Sequence, residues 1–171
     1  MFLKALTLSG GVLGAATLSQ FPEFAQQYTQ RLGGAVVELS RVVADYDADA
    51  AKIGLTRAEA LVQQASGGEF GKMRAENMAA TIRRQQSLQE SLQVLQGASA
   101  FERAQSVLHF RDSSVARDTM QDYQPAVPIT VEGAVFAGSG FVAGWLGVKL
   151  FFGAILGVFR ALFGRRRRGL A

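Results

Sequence analysis

The chain has 171 residues, 49% of them hydrophobic, and a net charge of +4, values that fit roughly one domain. It has no cysteine and one histidine, His109, which excludes disulfides, cysteine nucleophiles, thiolate metal sites and clustered imidazole ligands within one chain. Residues 20–130 hold 11 Lys and Arg against 13 Asp and Glu, and the flanks hold 7 against Glu132 alone, which argues against a basic nucleic-acid-binding domain.

The first predicted element is an apolar helix at the amino terminus. Between Lys4 and Glu23 lie 18 uncharged residues, about the shortest helix that crosses a hydrocarbon core of roughly 30 Å. We predict a retained transmembrane helix over residues 1–22. The alternative is a secretory signal peptide, because Gly14-Ala15-Ala16 places small residues near a point of cleavage.

Residues 23–126 are predicted to form a helical extramembrane region. A seven-residue repeat of apolar side chains from Phe24 to about Ile53 predicts a coiled-coil-like seam or, more simply, a helix packed in a small bundle. The repeat consists of Leu32, Val36, Leu39, Val43, Tyr46, Ala50 and Ile53. We expect this helix to pair with a second one, from about Lys72 to Gln96, whose apolar seam is interrupted by polar residues.

Capping boxes and prolines divide the rest of this region. The sequences Thr56-Arg57-Ala58-Glu59 and Ser99-Ala100-Phe101-Glu102 each place a hydroxyl three residues before a carboxylate, which predicts the start of a helix. We expect residues 66–71 to be a loop, and Pro125 and Pro128 to end the last helix. The pattern indicates an antiparallel helical hairpin with an extra segment.

A second transmembrane helix is predicted over residues 127–148. This placement puts Glu132 near one end and both Trp145 and Lys149 near the other, where an indole and an extended ammonium are stable. A helix centred on Lys149 would instead bury its charge, at a cost of about 2.5–3.5 kcal/mol.

The carboxyl-terminal segment is too long to continue as a straight membrane span. A single helix from Ile129 to Phe163 would measure about 52 Å at the helical rise, well beyond the hydrocarbon thickness. We therefore predict that residues 149–171 form an interfacial amphipathic helix and an arginine-rich tail; the alternative is that the segment continues the second span. The residues expected to contact anionic lipid headgroups are Lys149, Arg160, Arg165, Arg166, Arg167 and Arg168.

The same basic residues predict the orientation. Six Lys and Arg follow the second span, and cytoplasmic flanks are enriched in these residues. We expect a bacterial inner-membrane protein with both termini in the cytoplasm and the central region in the periplasm. Topology thus explains the arginines without a nucleic-acid partner.

Three pairs of glycines stand four residues apart in the apolar segments. The pairs are Gly10 and Gly14, Gly140 and Gly144, and Gly153 and Gly157. This spacing predicts close helix packing, within one chain or between subunits. The alternative is that glycine is simply more frequent in membrane helices.

Two stretches resemble a bacterial family known as domain of unknown function 2937. They are SGGVLGAATLSQFPEFAQQYTQRLGGAVVEL, residues 9–39, and YQPAVPITVEGAVFAGSGFVAGW, residues 123–145. The resemblance implies a small two-span membrane protein of unassigned function, and it supplies no catalytic residues.

The predicted fold is therefore an all-α membrane protein, with two transmembrane helices joined by a coiled-coil-like helical hairpin and followed by a basic interfacial helix. Every recurring pattern serves packing or anchoring, so we expect a non-enzymatic scaffold or assembly subunit that oligomerises or binds a membrane partner. The alternative is a homo-oligomeric pore or transport accessory subunit, to which Glu132 would contribute the charged group.

An enzyme is a weaker interpretation, and we predict no cofactor, metal or small-molecule substrate. The acidic residues considered are Glu23, Glu38, Asp45, Asp47 and Asp49. The stretch DYDAD resembles the start of a calcium loop, but loop positions six and twelve are Ala50 and Thr56 instead of glycine and glutamate. His109, beside Arg111 and Asp112, is interpreted as a surface histidine.

Overall fold

The structure, a computed structural model, describes residues 1–127 and 129–163, without the side chains of 160–163. Its regular secondary structure is helical. The elements are α1 (Phe2–Leu18), α2 (Phe21–Lys52), α3 (Arg57–Ala65), α4 (Gly68–Leu95), α5 (Ala100–Gln105), a 3₁₀ turn (Val107–His109), α6 (Ser113–Gln121) and α7 (Val131–Phe163). No strand occurs in these ranges, which confirms the all-α class.

The chain divides into two compact units. The first, the apolar unit, comprises Met1–Glu23 and Pro125–Ala171 and contains α1 and α7. The second, the helical unit, is Phe24–Gln124 and contains most of α2 and all of α3 to α6.

Two helices are long and apolar enough to cross a membrane. One belongs to the amino-terminal helical stretch Phe2–Lys52, and the other is Val131–Phe159 of α7. In the most apolar 18-residue window of each helix, 17% of the first window is buried and 0% of the second. A core helix of a soluble protein would be mostly covered, so the exposed apolar surface fits contact with lipid.

The second apolar helix differs from its prediction at both ends. α7 begins at Val131 and continues without a break through position 149 to Phe163. Residues 149–163 contain no proline and no N-capping sequence, so nothing in the local chain ends the helix there. A separate helix starting at residue 149 is therefore not observed, and α7 is about 50 Å long at the helical rise.

The heptad repeat of α2 forms the core of the helical unit. Leu32, Val36, Val43 and Ala50 are buried, and Leu39 and Tyr46 are half-buried. The last predicted member is wrong, because Ile53 is 66% exposed. α2 has ended at Lys52, and Gly54 with φ +72° turns the chain away in a conformation that favours glycine.

α4 runs back along α2 and completes the hairpin. The side-chain amide of Gln85 donates a hydrogen bond to the Ser40 hydroxyl at 3.0 Å, so the polar residues of the α4 seam do meet α2. The predicted loop 66–71 is too long, since α4 already begins at Gly68, whose φ of +81° makes the turn within two residues of α3.

Two capping boxes are confirmed. Thr56 begins α3 and Ser99 begins α5, each with the reciprocal hydroxyl and carboxylate bonds. The chain after α5 is more broken than predicted, because Asp112 caps a new helix, α6, where a continuation of the previous one was expected. Val115 of α6 then packs into the buried cluster with Tyr28, Leu88 and Leu95.

Candidate functional site

The two apolar helices meet through glycine. A Cβ atom added to Gly14 would overlap the carbonyl oxygen of Gly140, and one added to Gly144 would overlap that of Gly10. The pairing runs in opposite directions along the two helices, so α1 and α7 are antiparallel. We call Gly10, Gly14, Gly140 and Gly144 the glycine seam; at these positions the two backbones are in direct contact.

Larger side chains close the seam at either side. A Cβ at Gly10 would lie 2.5 Å from Cγ2 of Val148, and one at Gly11 would lie 2.7 Å from the Phe141 ring. Gly11 is buried, and it was missed as a packing residue because it does not belong to a four-residue glycine pair. The sequence feature that indicates its role is the pair of adjacent glycines, Gly10 and Gly11, because two residues without side chains leave room for an aromatic ring on one face of the helix.

The third glycine pair lies elsewhere. No atom lies within 4 Å of a Cβ built at Gly153 or Gly157. Gly153 follows Gly144 by nine residues, or two and a half turns, which places it on the face of α7 opposite the seam. These two glycines therefore take no part in the contact between α1 and α7.

Of the predicted lipid-contact residues, Lys149 is the one whose side chain the structure describes. Its ammonium lies 4.8 Å from the centre of the Trp145 ring, a cation–π contact one helical turn away. Arg160 lies in α7 with its side chain outside the description, and Arg165, Arg166, Arg167 and Arg168 lie beyond the described residues.

The link between the apolar helices is fixed by polar contacts near the end of α1. The Gln20 amide donates to the carbonyl of Ala126 at 3.1 Å and accepts from its backbone N–H at 3.2 Å. The rings of Phe21 and Phe136 pack with centroids 5.3 Å apart. The amide contacts join the chain before α7 to the turn after α1, and the ring contact joins α7 to the start of α2.

In the helical unit, Asp112 joins α4 to α6. Its carboxylate accepts from Arg84 of α4 at 3.0 and 3.2 Å, from the Ser114 hydroxyl at 2.6 Å and from the Val115 N–H at 2.9 Å. Burial alone raises the pKa of this carboxyl, but the hydrogen bonds from Arg84, Ser114 and Val115 outweigh burial and hold it at about 2. The network fastens α6 to the hairpin.

Three of the acidic residues considered at the sequence level, Glu38, Asp47 and Asp49, form ion pairs with nearby basic residues. Asp47 accepts a two-point hydrogen bond from Arg57 at 2.7 and 2.5 Å, which lowers its pKa and connects α2 to the start of α3. Asp49 pairs with Lys52, and Glu38 with Arg41. Among the described residues, no three His, Asp or Glu side chains come together as a set of metal ligands.

These features define a class: an all-α protein with two helices apolar enough to cross a membrane, packed through glycine, and a separate helical unit. The chain belongs to the family described as "Protein of unknown function (DUF2937)", which it matches over residues 2–161. No curated protein and no solved structure matches it.

Proposed function

We propose that this chain is a non-enzymatic scaffold subunit of the bacterial inner membrane, which anchors its helical unit for assembly with a membrane partner or a second copy. The glycine seam is the observation that carries this proposal. It joins the two apolar helices within one chain by backbone contact, so that the pair is a preformed anchor.

The polar groups of the helical unit support the same role. The carboxylates of Asp47 and Asp112 are engaged by Arg57 and Arg84, and those of Glu59 and Glu102 are engaged in capping boxes. These contacts hold helices together, which is what a rigid recognition surface requires.

A pore is the second candidate function, and the glycine seam argues against it. α1 and α7 use one face each to seal against the other, so that a channel would need a ring of copies arranged around their remaining faces. Those faces are apolar over most of their length, with exposed Leu8, Val12, Val135, Val142 and Leu150. Such a surface suits lipid better than water.

In the proposed orientation both termini are cytoplasmic and Phe24–Gln124 is periplasmic. The basic residues that follow the second span support this, and Lys149, Arg160 and Arg165 to Arg168 would contact anionic headgroups. Six Lys and Arg follow the second span, whereas fewer, among them Arg31 and Arg117, flank the spans on the central side.

The test of the function is the size of the protein extracted from membranes in mild detergent. We expect a complex larger than the 18.3 kDa chain, whether a homo-oligomer or an assembly with another membrane protein. A strict monomer, both in detergent and after chemical cross-linking in intact membranes, would refute the scaffold.

The test of the orientation is separate. Protease added to spheroplasts should cut within residues 24–124, and alkaline carbonate should leave the protein in the membrane pellet. Full protection of that region, or release by carbonate, would contradict the orientation.

A further inference from the structure

An open groove runs along the hairpin of the helical unit, between α2 and α4. We call it the amide groove, since four glutamines are among the side chains that line it. The lining residues are Gln26, Thr29, Gln30, Gly33, Val36, Val37 and Ser40 from α2, Gln89 and Leu92 from α4, Gln96 directly after α4, and Arg103 from α5.

The groove lies on the side of the hairpin that α6 leaves open. α6 and the segment before it cover one side, where the Tyr28 ring packs against the Phe110 ring at a centroid distance of 4.7 Å and Val115 is buried. Thr29 and Val36 lie about a quarter turn around α2 from Tyr28, and neither the 3₁₀ turn nor α6 lines the groove. One side of the two-helix layer is thus closed and the other is not.

The groove has an apolar floor and an amide rim. Val36 is buried, and a Cβ at Gly33 would lie 3.9 Å from Cδ1 of Leu92, so that the floor is packed but has space above it. On the rim, Val37 is 58% exposed and Gln30 is exposed. Exposed Val37 therefore lies next to the open space above Gly33, and a protruding side chain beside a gap is the arrangement that lets another helix pack on this surface.

The charge of the groove limits what can bind there. Among the described residues that line it, the one charged side chain is Arg103, whose Nε already donates to the Leu95 carbonyl at 3.1 Å. Because no acidic side chain and no further basic one is found among these lining residues, a strongly charged partner segment would find no opposite charges to pair with. A neutral partner with amide groups fits best.

We infer that the amide groove is the interface with a second copy of this chain. Each glutamine side chain both donates and accepts hydrogen bonds, so the same amides can pair with themselves across a two-fold axis without repulsion. Val37 supplies the apolar anchor, and the space over Gly33 receives it. This inference rests on the proposed scaffold function and names the surface by which the scaffold assembles.

Single-cysteine variants test which surface faces the second copy. The chain has no cysteine of its own, so that Val37→Cys and Val42→Cys each carry one thiol. Both valines are exposed, at 58% and 46%, but Val42 is five residues further along α2 and about 140° around it. With a short bismaleimide in native membranes, V37C should give a covalent homodimer and V42C should not.

A charge at the same two positions tests the assembly in solution. In V37E, two like charges would meet in the interface, and the mass by light scattering in detergent should fall to that of one chain. V42E should keep the wild-type mass, and far-UV circular dichroism should show unchanged helix in both variants.

The outcomes separate this inference from the proposed function. If wild type and V37E have the same oligomeric mass, the copies meet elsewhere, which overturns the amide groove and leaves the scaffold intact. A V37C product with a different protein overturns the second copy as occupant but also leaves the scaffold. A monomeric wild type, together with a V37C variant that forms no cross-linked product, overturns both.

Discussion

The glycine seam makes a quantitative prediction for the substitution Gly14→Ala. The new Cβ would lie 3.0 Å from the Gly140 carbonyl carbon and 3.2 Å from the Gly144 Cα, and closer still to the Gly140 oxygen. Carbon atoms in good contact are about 3.5–4.0 Å apart, so the contact with the Gly140 carbonyl carbon alone requires α1 and α7 to separate by roughly 0.5–1 Å, and the closer oxygen requires at least as much. A gap of that size removes about a quarter to a half of the dispersion energy at each affected contact.

Overpacking of this kind costs about 1–3 kcal/mol in general, and we expect Gly14→Ala to destabilise the helix pair by that amount. The measurement is unfolding in mixed micelles of increasing SDS content, followed by the fluorescence of Trp145. This residue is the one tryptophan in the chain and lies in α7, one residue after Gly144.

Gly147→Ala is the matched control, because it adds the same methyl group to the same helix as the seam glycines Gly140 and Gly144. Nothing lies within 4 Å of its Cβ position, so its effect should stay within about 0.5 kcal/mol. Equal unfolding curves for Gly14→Ala and Gly147→Ala would refute the backbone contact.

Three further predictions concern the helical unit. Asp112→Asn keeps an N-cap residue but loses the negative charge. Because the pKa of Asp112 in the folded protein is about 2, below the ordinary value of 3.8, wild type should be more stable than the variant by about 2 kcal/mol above about pH 5. Urea titrations should show that this difference in unfolding free energy vanishes as the pH falls to about 2. Tyr28→Ala should cost about 3–5 kcal/mol by urea unfolding, because the ring is fully buried. Tyr28→Phe should cost only about 1 kcal/mol, because it loses the hydrogen bond between the hydroxyl and the Asp112 backbone and a longer contact, 3.5 Å, to the His109 carbonyl; equal losses for the two variants would contradict this assignment. Thr56→Ala should cost about 1 kcal/mol in the same assay through loss of the α3 capping box, and no change would show that α3 contributes nothing to the cooperative unit.

Local patterns in the sequence determined the helices and most of their ends. The apolar extremities, the heptad positions of α2 and both capping boxes follow from residues within a few positions of one another, which fix backbone geometry and capping. The family resemblance was equally accessible, since it depends on the order of residues alone.

The tertiary structure alone decided which faces meet. Gly14 and Gly140 are far apart in the chain, and only the rotation of α1 against α7 brings them together while Gly153 faces away. Asp112 caps α6 through the nearby Val115 N–H, but only the tertiary structure brings Arg84, on another helix, to the same carboxylate. Contacts of this kind depend on the pairing of two distant surfaces, which periodicity within either segment does not encode.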